Sequence, residues 1–429
     1  MRFTVLTAAA VIAWPIAALA QEAQTVEGPG VKVDESTIVH PTVGIEAGVI
    51  SNVFYETEQT VPVGSGILRL LGQLHLASRG NDRAGVAEAA LADEESTEPT
   101  PPTLQFRGGL AARYDEFLSG ESIVRSQRNL GVEASMHAVA FPEGTFAFLF
   151  DDSLTRDTRP QNFENYGGNN RIINQLGLGL RFQPGGRTIS AAVRYDNSID
   201  FFEASEHRFA DRMNQTVGLR CEWQWLPITR FLLDASYGYF GPLGSNTLDG
   251  MPYKLASNPM RGELGIVTAI TEMTTIRAHA GWTSSSYPDG TGFNAPVFGA
   301  EFGYRYNEFG RFTVLYAYDF RDSLNADFYR DHAIDINVAQ QIREVLFEGS
   351  GGLRLRSYHG ISPVIGDPDR DDVIIEAKAR GQWMYRDWLA FVVQYVMQSD
   401  KTPYRSMTVD RDNPSFVRHE ATAGIRAAF

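Results

Sequence analysis

Arginines and carboxylates recur through this chain two residues apart, with apolar residues in between. Leu355 separates Arg354 from Arg356, Ala377 and Ala379 separate Glu376, Lys378 and Arg380, and Tyr114 separates Arg113 from Asp115. Arg107, Glu133, Arg194, Arg220, Glu222, Arg277, Glu301 and Arg305 occupy the polar positions of similar alternating segments. A guanidinium presents a planar fork of donors that matches carboxylates, phosphates and sugar hydroxyls. Rows of them on one surface would sort or bind anionic or polyhydroxylated solutes. The interspersed acids would complete a mixed lining, or would pair with arginines across strands and hold the wall in register. These residues are the expected lining of a lumen.

Bond-breaking chemistry is not indicated. The chain has neither a G-x-S-x-G nucleophile elbow nor an H-E-x-x-H zinc helix. His75, His137, His279 and His419 stand singly in alternating segments, and His359 precedes a glycine. An imidazole without a nucleophile or an orienting carboxylate nearby reads as a wall residue. The run from Gly366 to Asp372 gathers carboxylates of the kind hard cations take, but it lacks the spacing and closing Glu of a calcium loop. It reads as a solvated loop. No catalytic residue, metal or cofactor is expected, and the chain is not expected to be an enzyme.

The elements that would carry such rows are strands, because a period of two puts successive side chains on opposite faces. Val43, Ile45, Ala47 and Val49 alternate with Gly44, Glu46 and Gly48, and Leu68, Leu70, Leu74 and Leu76 oppose Arg69, Gln73 and His75. Some eighteen such segments follow one another, with sixteen as the alternative count, and single-chain bacterial barrels have even numbers. The fold class is therefore all-β, a transmembrane antiparallel outer-membrane barrel. Beyond residue 20 no run of about 18 apolar residues could form a spanning helix. The net charge of −14 argues against a nucleic-acid partner, and the single cysteine, Cys221, excludes a disulfide scaffold.

Residues 1–20 read as a signal peptide, with Arg2 ahead of an apolar run that ends in Ala18-Leu19-Ala20. This implies export in a Gram-negative cell. Residues 21–41 read as a short periplasmic segment, too short for a globular plug, and 42–429 as the barrel. Connections alternate in size. Short turns at Phe141–Gly144, Gln183–Gly186, Leu226–Thr229, Asn307–Gly310 and Tyr385–Trp388 fit the periplasmic rim. Long polar links at Asp157–Asn170, Gly241–Asn258, Thr283–Asn294, Tyr358–Asp371 and Ser399–Pro414 fit the outer rim. The acidic, Ala- and Pro-rich insert 78–102 departs from this order and reads as a solvated loop, with a lumenal helix over 84–93 as the alternative.

Aromatic residues gather at two levels. Trp223, Trp225, Tyr304, Tyr306, Trp383 and Tyr385 precede short turns, while Tyr114, Tyr195, Tyr239, Trp282 and Tyr318 fall toward the opposite strand ends. Two such girdles suit the two headgroup layers of a bilayer. The final strand alternates to Phe429, the last residue. That ending resembles the C-terminal signal by which the barrel-assembly machinery recognises its clients. Outer-membrane lipid and lipopolysaccharide are the expected surroundings.

Gly44-Ile45-Glu46-Ala47-Gly48 with Ser51-Asn52-Val53-Phe54-Tyr55, and the stretch from Trp223 to Phe231, resemble signatures of the β-barrel porin 2 family. The resemblance implies a barrel linked with exopolysaccharide systems, one that conducts or exports polysaccharide and docks a periplasmic export protein. A general diffusion porin for small hydrophilic or anionic solutes is the alternative, and an adhesive barrel with a closed lumen is a third. Neutralising Arg354, Arg356 and Arg380 together is expected to reduce anion preference if they line the conduit.

Overall fold

A computed structural model describes residues 30–33, 37–56, 61–78, 103–157, 170–185, 188–244, 247–248, 251–253, 255–323, 326–361, 368–404 and 415–429. The expected signal peptide, and the insert 78–102 beyond Ser78 with its alternative lumenal helix, lie outside these residues. Eighteen long antiparallel strands follow in sequence order, each bonded to the next, and the last bonds to the first. The strands are β1 Thr37–Ile50, β2 Ser65–Ser78, β3 Leu104–Leu118, β4 Asn129–Ala140, β5 Phe146–Asp157 and β6 Arg171–Phe182. Next come β7 Ile189–Phe202, β8 Arg212–Leu226, β9 Thr229–Pro242, β10 Met260–Ala269, β11 Thr274–Ser286 and β12 Gly292–Asn307. The circuit ends with β13 Gly310–Asp322, β14 Phe328–Ile342, β15 Val345–His359, β16 Asp369–Arg386, β17 Leu389–Lys401 and β18 Phe416–Ala428. The closed ladder excludes the count of sixteen. Closure also removes the free edges that no lipid could satisfy.

The seam joins β1 to β18 from Thr42 opposite Ala428 to Ile50 opposite Glu420. The Phe429 amide donates to the Pro41 carbonyl at 3.0 Å, so the last residue is held at the rim where the chain enters β1. β1 starts at Thr37, and the short stretch Val31–Lys32 pairs with it.

Alternation places one class of side chain on each face. Residues opposite in the ladders share a face, so Trp223 stands beside Phe231 and Trp383 beside Phe391, each pair stacked on the outer surface. Along the outer faces Ile45, Leu70, Leu110, Val193, Leu219, Leu264, Phe302, Ile336, Leu353, Val393 and Ile425 are all exposed. In a water-soluble fold that band would be a continuous sticky surface. In a bilayer it is the solvent-matched surface, and the aromatic sets at its two margins sit where headgroups begin. The protein is an outer-membrane β-barrel.

The rim carrying Phe429 and the two-residue turns 227–228, 308–309, 343–344 and 387–388 is the periplasmic one. One expected outer loop is corrected. Residues Thr283–Asn294 form most of a tight hairpin, because β11 continues to Ser286 and β12 starts at Gly292, with Ser284 opposite Asn294. The serines read as loop because they are polar. Ser284 and Ser286 remain in strand because above the apolar band the outward face is wet and polar side chains cost nothing there, while Ser285 faces inward opposite Phe293.

Candidate functional site

The inner faces converge on one feature, the barrel's interior wall, and its charges sort along the axis. Toward the outer rim a belt of ion pairs runs around most of the circumference. Arg69, fully buried on β2, binds Asp115 of β3 at 2.7 Å and Glu420 of β18 at 2.8 Å. Arg113 reaches Asp157 at 2.7 Å, and Arg171 and Arg212 share Asp200. Arg261 and Arg321 share Asp319. Arg356 grips Asp331 with both Nε and Nη2 at 2.8 Å and lies over the Tyr329 ring at 4.0 Å. Arg370 binds Asp372 at 2.6 Å and Asp400 at 3.2 Å. Such pairs cancel charge, and those between neighbouring strands lock register, while Arg69–Glu420, Arg113–Asp157 and Arg261–Asp319 tie strands two or three apart.

The middle of the wall is also paired, but more openly. Arg194 spans Asp151 at 2.8 Å and Asp196 at 2.5 Å, and Asp151 also holds His137. Arg220 binds Asp234 at 2.6 Å, Arg230 binds Glu222 at 3.0 Å, and Arg354 reaches Asp335 at 3.2 Å. All these side chains are only partly buried, so a solute passing them could compete for their remaining donors.

Near the periplasmic rim the pattern changes. Arg107, Arg305 and Arg311 are exposed and Arg277 is half-buried, all on inner faces within three positions of a strand end. None of the four makes an ion pair among the described residues. Arg305 donates only to the Glu272 carbonyl, at 3.0 Å, and the Arg277 Nε is buried without a partner. Glu301 stands opposite Arg277 in the ladder without forming an ion pair. Rim carboxylates such as Glu308, Glu344 and Asp387 are on the turns, beyond the strands.

All of the expected lining residues face inward, but they fall into three groups. Arg107 and Arg305 are exposed and Arg277 and Glu301 are half-buried, and none of the four is in an ion pair among the described residues. Arg113, Arg194, Arg220, Arg354, Glu133, Glu222 and Glu376 are partly buried, and all of these arginines and Glu222 are in ion pairs. Arg356 and Arg380 are 1% and 4% exposed, so neither can meet a solute, and the triple neutralisation of Arg354, Arg356 and Arg380 is a poor probe of the conduit. The sequence reading missed Arg311, whose place after the Asn307–Gly310 turn puts it on the inner face. It also missed Asp331 and Asp335, the acids that hold Arg356 and Arg354. The His137–Asp151 contact joins two residues fourteen apart across the β4–β5 hairpin, a partner that a reading of His137 alone does not supply.

Aromatic residues on the inner faces are all shut away. Phe117, Phe202, Phe240, Phe293, Tyr329, Tyr358 and Phe416 are each less than a tenth exposed. Their rings pack against belt arginines and against one another, as when Arg171 lies over Phe202. The open part of the lining is polar.

No family model and no curated protein matches the chain. Similar courses of the backbone occur in solved structures. OccAB2 of Acinetobacter baumannii is 10% identical with a TM-score of 0.47, over 92% of this chain and 98% of that one. OccK2 (OpdF) of Pseudomonas aeruginosa, solved in complex with glucuronate, is 9% identical with a TM-score of 0.46, over 91% and 98%. The siderophore receptor PirA of P. aeruginosa is 8% identical with a TM-score of 0.39, over 91% and 80%.

Proposed function

We propose that the protein is a passive outer-membrane channel for small hydrophilic solutes, with a preference for anions. The observation that carries this is the axial sorting of charge. Arginines of the outer half are cancelled by carboxylates, whereas Arg107, Arg277, Arg305 and Arg311 present uncancelled guanidiniums to the periplasmic part of the lumen. Three of these guanidiniums cluster on the adjacent strands β11–β13 and Arg107 is on β3, and fixed cations between low-dielectric walls raise the local concentration of anions and lower that of cations. An eighteen-strand wall is wide enough to hold water between such groups.

The second reading, a polysaccharide conduit docked to a periplasmic export protein, follows from the resemblance to the β-barrel porin 2 family. A conduit for a polymer would offer flat aromatic faces on which sugar rings slide, because an aromatic ring has an apolar face and its edge can carry a polar handle. The burial of every inward aromatic among the described residues favours small solutes instead.

Reversal potentials in planar bilayers under a salt gradient test the proposal. The wild type is expected to show anion preference, and Gln at positions 107, 277, 305 and 311 together is expected to abolish it with conductance retained. An unchanged reversal potential in that variant would sink the reading. Loss of surface polysaccharide on gene deletion, restored by complementation, would move the assignment to the polymer conduit.

A further inference from the structure

The outer surface of β5–β8 breaks the apolar band across four adjacent strands, whereas the outward histidines elsewhere, His332 on β14 and His419 on β18, are single interruptions bonded to the hydroxyls of Tyr316 and Tyr395. On β5 the exposed run Phe146, Phe148 and Phe150 is interrupted by Asp152 before exposed Leu154 resumes it. Asn174 on β6, Asn197 on β7 and Gln215 on β8 carry the interruption across four adjacent strands. Asn174 Nδ2 donates to Asp152 Oδ1 at 2.9 Å and to the Ser153 carbonyl at 3.2 Å, which orients the amide and leaves its carbonyl oxygen without a hydrogen bond among the described residues. Asn197 has no side-chain hydrogen bond among the described residues, and Gln215 stands opposite it in the ladder.

A carboxylate and three amides turned toward acyl chains forfeit hydrogen bonds that lipid cannot replace. Asp152 is six positions above Phe146 at the periplasmic end of β5, which is about 15 Å into an apolar band of about 25 Å. On the same scale Asn174 and Asn197 are at about 20 Å and Gln215 is at the outer margin of the band, so a protein surface fits Asp152, Asn174 and Asn197 better than a lipid headgroup does.

We propose that this face docks a second copy of the chain about a two-fold axis along the membrane normal, between β6 and β7. Both copies then keep the same orientation in the membrane, and the contact is self-complementary. The axis sets β6 of one copy against β7 of the other, so each Asn174 meets an Asn197. The heights agree, because Asn174 is eight positions from Phe182 and Asn197 eight positions from Ile189, both at periplasmic strand ends. The chemistry agrees as well. Asn174 brings a free carbonyl oxygen, already oriented by Asp152, and Asn197 brings free amide donors.

Disulfide cross-linking of the full chain in outer membranes tests this. Cys221 is first replaced by serine, because it too is on the outer face of β8. The pair Asn174→Cys and Asn197→Cys is expected to give a covalent dimer on oxidation, many-fold above the control pair Ala300→Cys and Ile336→Cys on the outer faces of β12 and β14. Asp152→Leu, which restores the apolar run, is expected to shift the purified, folded barrel from dimer to monomer by light scattering. A ladder beyond dimer would overturn the two-fold geometry. Equal cross-linking of the control pair, or a monomeric wild type, would overturn the docking face, and lipopolysaccharide retained by such a monomer and lost with Asp152→Leu would assign the patch to lipid.

Discussion

Asp331→Ala is expected to destabilise the barrel by about 3–5 kcal/mol, the cost of removing one member of a buried ion pair. The Arg356 guanidinium is completely buried and makes two 2.8 Å bonds to Asp331. Without that carboxylate a full positive charge stays away from water, flanked by Tyr329 and Tyr358, whose ring faces and hydroxyl return only part of the lost interaction. Urea unfolding of the barrel in lipid vesicles, followed by tryptophan fluorescence, reads the change. The double variant Asp331→Leu with Arg356→Met removes both charges and is expected to recover most of the loss, because apolar replacement of a whole buried pair is often neutral. If the double variant is as unstable as the single one, the belt's value lies in packing rather than in charge pairing.

Gly48→Val is expected to prevent closure of the barrel altogether. A Cβ on Gly48 would stand 1.9 Å from the Ala421 carbonyl oxygen and 2.8 Å from the Thr422 Cα, both backbone atoms that cannot rotate away. Gly424, across the same seam, meets the Ile45 carbonyl at 2.2 Å in the same way. β1 and β18 are the first and last strands, so the chain must bring its two ends together there, and any displacement at the seam leaves two edges unpaired in lipid. Loss of the compact, heat-modifiable band on unheated SDS gels is the expected result, accompanied by protease sensitivity. Gly72→Val is the control, since a Cβ there meets nothing within 4 Å. A folded Gly48→Val barrel would show that the seam relaxes by more than the structure implies.

How far this structure could be read in advance differs from one link to the next. The period-two pattern of Leu104–Leu118 or Phe416–Ala428 shows both faces at once, because in a single-walled barrel one face meets lipid and the other water along the whole strand. The same physics made the turns at Leu226–Thr229 and Tyr385–Trp388 legible, and the aromatic residues before them marked the bilayer margin. The hairpin at Ser284–Asn294 was misread because the outward rule lapses above the membrane, where serine is as acceptable in a strand as in a loop.

The sequence by itself determined the class of fold, the facing of each strand, and hence that a row of arginines would point inward. It could not determine which of them act. Arg356 and Arg305 have the same chemistry and the same facing, yet one is sealed against Asp331 on a neighbouring strand and the other is open at the rim. Adjacent Asp151 and Asp152 divide in the same way, the first bound to Arg194 across the lumenal wall and the second turned to the membrane beside Asn174. Those outcomes depend on inter-strand register and on distance along the barrel axis. A shift of one residue in a single ladder would exchange every partner, so only the closed tertiary structure decides which charges cancel and which remain to meet a solute.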